Sequence, residues 1–168
     1  MVEKTFTIGQ AAEWLRRPGE THAIVAAQLG RFRQSAYVRT RGQFGYGKTA
    51  AHVFHAADLA VAKLCRSLIA VGVRDEDVMR AASAACYDLP ANCDEPDGLT
   101  GIESALDSPS GSWSLFVFLA DQPDGTQRVF GEVRRVEPDF QPAHPAIDLA
   151  IEVPMRWLPD LAQMRERG

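Results

Sequence analysis

The spacing of apolar residues changes once along the chain, and that change most limits what it can fold into. Before residue 88 they recur at helical spacing: Ile8, Ala11, Ala12 and Leu15, and later Leu59, Leu64, Leu68 and Val71. After residue 112 they gather in compact runs, Trp113–Ala120, Arg128–Val136 and Ala146–Val153, the first two separated by Asp124-Gly125, a hairpin signal. Between them, residues 88–112 are rich in Pro, Gly, Asp and Ser and read as a linker or long loop. Helices first and antiparallel strands afterwards predict an α+β protein.

Boundaries can be placed more closely. Thr7 is the expected N-cap of a first helix ending before Pro18-Gly19, and Thr21 opens a second through about Phe32. Arg39 to Tyr46 carries two glycines, with Gly47 just beyond, and no periodicity, which suits a loop or tight hairpin tipped at Gly42–Gly47, with Lys48–His55 returning. Asp58 is the expected cap of a third helix ended by Gly72, and Asp75 of a fourth reaching Tyr87. Thr100-Gly-Ile-Glu103 is a capping-box pattern for a short helix, and a last helix is expected at about 159–166.

Charge is divided as sharply as structure. The net charge of −4, taken as one average, speaks against a polyanionic partner. Residues 1–55, however, hold eight basic groups against three acidic ones, a balance of +5, leaving −9 for residues 56–168. Seven basic side chains lie between Arg16 and Lys48 with a single acid, Glu20, among them. Such asymmetry points to one surface that seeks phosphates joined to another that does not.

The predicted order of helix, helix, glycine-rich hairpin, helix, helix is that of a winged helix-turn-helix with supporting helices. Phe6-Thr-Ile-Gly-Gln-Ala-Ala12, followed by Phe54-His-Ala-Ala-Asp58-Leu59, Leu64, Leu68, Gly72 and Asp75-Glu-Asp-Val78, resembles the DNA-binding domain of the MerR family and its excisionase-like relatives. The resemblance covers about residues 5–85. It departs from the family at the helix-helix turn, where Arg17-Pro-Gly-Glu-Thr21 stands, and in a longer second helix. It implies a winged-helix domain over 1–87, the loop 88–112, and a C-terminal α+β module of dimerisation or regulation over 113–168.

In that arrangement Thr21, His22 and Gln28 are the expected base-reading residues, extended by Arg31 and Arg33, while Arg39, Arg41, Gln43, Tyr46 and Lys48 on the wing hold the backbone. The expected function is sequence-specific transcriptional regulation by a homodimer on an inverted repeat of double-stranded DNA, with RNA polymerase a candidate further partner. An excisionase-like architectural factor and a protein-interaction module are related alternatives.

The main rival is a nucleotide hydrolase or kinase, because Gly42-Gln-Phe-Gly-Tyr-Gly-Lys48-Thr49 matches the phosphate-binding loop letter for letter. The charged stretch Ser35–Arg41 before it is a poor central strand, and Asp124-Gly125 turns the next apolar strand back antiparallel. Cys65, Cys86 and Cys93, with His52 and His55 at i, i+3, invite a metal- or redox-sensor reading but lack metal-ligand spacing, and no paired carboxylates or nucleophile motifs stand out. No enzyme activity, cofactor or metal is expected. No apolar run approaches the roughly 20 residues that cross a bilayer, so no membrane association is expected, and the expected location is cytoplasmic, with the nucleoid.

Overall fold

A computed structural model describes residues 4–45, 51–91, 98–137 and 147–166. Tyr46, Lys48 and Cys93 lie outside the described residues, as do parts of the phosphate-loop-like run and of the 88–112 stretch. The molecule is a mixed α+β structure with six helices and two small antiparallel sheets among the described residues.

The first sheet is made by residues far apart in sequence. Strand β1 (Phe6–Thr7) runs directly into helix α1 (Ile8–Leu15). Thr7 caps that helix: its hydroxyl accepts from the Gln10 N–H, and the Gln10 side chain accepts from the Thr7 N–H at 2.9 Å, a reciprocal capping box. Helix α2 (His22–Gln34) starts at a Thr21 cap and continues to Gln34. Strands β2 (Gln43–Phe44) and β3 (Ala51–Phe54) are antiparallel, and β1 lies on the other side of β3, Phe6 opposite Phe54. Gly42 and Gly45, at φ 137° and 95°, occupy backbone conformations that side chains with a Cβ rarely adopt.

Helix α3 (Ala56–Ala70) begins earlier than expected. His55 is its N-cap, and Asp58 sits in the first turn, where its carboxylate accepts from the His55 N–H at 2.8 Å. An acid three residues inside a helix satisfies the cap residue's own N–H, so the capping signal was displaced by one turn. Val71, expected in the core, is the C-cap and 74% exposed. Helix α4 (Glu76–Tyr87) starts from Asp75, whose carboxylate accepts from the N–H groups of Asp77 and Val78.

Helix α5 (Gly101–Asp107) carries the capping box of Thr100 and Glu103. The second sheet has the order β5-β4-β6, built from β4 (Trp113–Asp121), β5 (Gln127–Arg135) and β6 (Ile147–Pro154), and helix α6 (Leu158–Glu166) follows. Alternation along β4 sends Leu115 and Val117 into the same buried cluster as Val133 of β5.

That cluster is continuous. It runs from Phe6 and Ala11 through Phe54, Leu59 and Leu68 to Cys86, Leu106, Val117 and Leu161. Helix α4 lies close against β5 because Gly131 lacks a side chain: a Cβ there would come 2.8 Å from the Ala81 carbonyl oxygen. Helix α6 packs against α3 and α5. Trp157 meets Trp14 edge-on at 6.2 Å, with the Lys63 ammonium 4.5 Å from the Trp14 ring, and Lys4 donates to the Met164 carbonyl.

Candidate nucleic-acid interface

Burial of Val25, Leu29 and Phe32 fixes the orientation of α2 and leaves Ala23, Ala27, Arg31 and Gln34 on its outer side. These outward residues are small or polar, apart from Ile24, which is 57% exposed at the start of the helix. No acid occurs in α2 or in β2 and β3. The outer side of this helix is therefore accessible, close to smooth, and positive.

Each expected contact residue among the described residues has a definite place. Thr21 is exposed and holds the helix start, its hydroxyl accepting from the Ile24 N–H. The His22 ring donates through Nε2 to the Gly9 carbonyl at 3.0 Å, tying α2 to α1. Gln28 points elsewhere: its carbonyl oxygen accepts from Arg66, a guanidinium of α3 that is only 4% exposed and also pairs with Glu20. Burying a guanidinium is costly without acceptors, and Gln28 and Glu20 supply them. Gln28 therefore serves the interior bond and is not on the outer side of α2. The single acid of the basic segment, Glu20, is occupied in the same bond and in accepting from the Arg17 N–H, and these contacts hold its carboxyl below the ordinary range.

Arg31 is exposed and pairs with no acid among the described residues. Arg33 donates through Nη1 to His52 Nε2 at 2.6 Å. His52 stands opposite Gln43 in the β2–β3 register, so Arg33, His52 and the exposed Gln43 come together where α2 meets the hairpin. His52 was not among the expected nucleic-acid contacts. Its signal in the sequence was weak, one of two histidines, with His55, on the returning arm of a hairpin.

The two arginines entering β2 are held from below. The Arg39 N–H donates to the Tyr87 hydroxyl at 3.1 Å, and its guanidinium lies 4.1 Å from the centre of the Tyr87 ring. That hydroxyl donates in turn to Asp58, which is fully buried. Arg41 reaches the other Asp58 oxygen at 3.7 Å and Glu103 at 3.8 Å. Burial raises the Asp58 pKa, against the pull of the His55 N–H, the Tyr87 hydroxyl and Arg41. Burial also pushes Tyr87 well above the ordinary phenol range, so it remains a donor. Arg41 thus spends much of its charge inside the protein, whereas the Arg39 guanidinium, over an uncharged ring, keeps its own.

The run that resembles a phosphate-binding loop has a different setting in its described part. Gln43 and Phe44 form a strand paired antiparallel with β3, and β4 is antiparallel to both its neighbours. A phosphate loop joins a strand of a parallel sheet to a helix N-terminus. Cys65 and Cys86 are free and buried, the Cys65 thiol pushed up to about 12 by burial, so both behave as small apolar residues. Among the described residues no helix is long and apolar enough to cross a membrane. The chain matches no family model and no curated protein sequence.

Proposed function

We propose that the protein is a sequence-specific, double-stranded-DNA-binding transcriptional regulator, a winged helix-turn-helix of the MerR-like kind that acts as a homodimer on an inverted repeat. The observation that carries this reading is the acid-free surface shared by α2 and the β2–β3 hairpin. There the outer side of α2 presents Ala23, Ala27, Arg31 and Gln34, with Arg33 and Gln43 where the helix meets the hairpin. In this reading α2 enters the major groove. Small residues let its backbone approach the bases, Ile24 and the alanines meet thymine methyl groups, and Arg31 and Gln34 reach base edges. Arg33, Arg39 and Gln43 contact phosphates and set the register. Arg41 contributes less, because Asp58 and Glu103 already pair with it. A single short helix reads few base pairs, and twofold pairing doubles the readout.

Selection of bound duplexes from a random pool tests the reading. The expected product is an inverted repeat with half-sites about one helical turn apart, bound with an affinity that falls steeply with salt. Sedimentation of the complex is expected to give two chains per site. No retention of any duplex at low salt would sink the proposal. Nucleotide binding lost on Lys48→Ala would favour the hydrolase instead.

A further inference from the structure

The Arg33–His52 pair differs from the arginine–carboxylate contacts of the basic segment. Arg16 pairs with Glu13, and Arg41 with Asp58 and Glu103, so each of those guanidinium charges is partly cancelled by a carboxylate. Arg33 is held by an imidazole nitrogen. A guanidinium offers donors only, so Nε2 of His52 must accept and the ring proton must sit on Nδ1. That Nδ1 is buried and has no hydrogen-bond partner. The ring thus leaves one hydrogen bond unmade while it serves Arg33, and as a neutral acceptor it orients the guanidinium without cancelling its charge. The remaining N–H groups of Arg33 have no hydrogen-bond partner among the described residues, and a guanidinium fork matches two phosphate oxygens. Gln43, opposite His52, adds an exposed amide on the same side of the hairpin.

We propose that His52 is a positioning residue for nucleic-acid binding: it fixes Arg33 as a fully charged clamp for one backbone phosphate at the junction of α2 and the hairpin. This rests on the DNA-binding reading above and assigns a role within it. The experiment is fluorescence anisotropy of the full chain with a labelled mixed-sequence duplex of about 30 base pairs, titrated against salt. Arg33→Ala is expected to weaken binding by about five- to tenfold and to reduce the salt slope by about one ion. His52→Leu should give a similar loss, and the double variant no more than Arg33→Ala alone. His52→Gln, whose amide oxygen can accept in place of Nε2, should restore binding to near the wild-type level. In the free protein, nitrogen NMR is expected to show the His52 proton on Nδ1. If His52→Leu binds like the wild type, if its loss multiplies with that of Arg33→Ala, or if the proton is found on Nε2, the clamp is refuted while DNA binding stands. If the wild type binds no duplex at low salt, the DNA-binding reading falls and the clamp with it. Thermal melting of each variant separates loss of contact from loss of fold.

Discussion

The fate of single side chains was the least legible part of this sequence. Gln28, Arg33 and Arg39 all look like polar surface residues of a basic segment. One serves a buried guanidinium, one is bound to an imidazole, and one lies over a phenol ring. The difference is made by partners distant in sequence, Arg66, His52 and Tyr87, which helical periodicity cannot pair. Arg66 carried a signal: a lone arginine within the apolar run of α3 must either turn outward or find acceptors. Tyr87 is the most demanding of these partners, because its hydroxyl both accepts from the Arg39 N–H and donates to Asp58. Tyr87→Phe removes both bonds and leaves a buried carboxylate short of a donor. The expected cost is about 1–3 kcal/mol, read from the midpoint of urea unfolding.

Helices and strands were more legible, because their signals are local. The Thr7 cap announces α1, Thr100 with Glu103 announces α5, and Asp124-Gly125 marks the turn between β4 and β5, with Gly125 at φ 80°. The start of α3 was misplaced by one turn because an acid at the third helical position resembles a cap in sequence while bonding backward to His55. How elements pack was not legible, since close approach depends on which residues happen to meet. Gly131 reads as a weak point in a strand, yet it is what admits α4. Gly131→Ala should push β5 away from Ala81 and Ala85 and destabilise the fold by about 1–3 kcal/mol. The same substitution at Gly30, where a Cβ meets open space, should be neutral or stabilising by up to about 1 kcal/mol. Thermal or urea denaturation of the two variants side by side checks the contrast.

Across the whole molecule, the charge division was legible, and acid sensitivity follows from where particular carboxylates lie. Burial of Glu103 is outweighed by bonds from the Thr100 N–H and hydroxyl and by the charge of Arg41, so its carboxyl is held below its ordinary 4.5. A lowered folded-state value means that Glu103 adds stability above pH 4.5, and that this is lost as pH falls through the lowered value. Asp58 has the opposite sign: its raised value makes the ionised, buried carboxylate a cost at neutral pH that protonation relieves. Glu103→Gln is therefore expected to lower stability at about pH 7 and to narrow the gap between pH 7 and about pH 3, measured by urea unfolding at each.

The continuity of the buried cluster also bears on how the chain can be divided. A cut at residue 112 would fall in a polar, loop-like stretch, where proteolysis and fragment design usually succeed. It would nevertheless leave Ala85, Leu106 and the small-residue side of α4 facing water, and would strip Trp157 from Trp14. The helices that carry the basic surface and the sheet that follows them thus share one interior. A shortened protein made to isolate DNA contacts would expose an adhesive apolar side, so its retention of DNA would have to be told apart from aggregation.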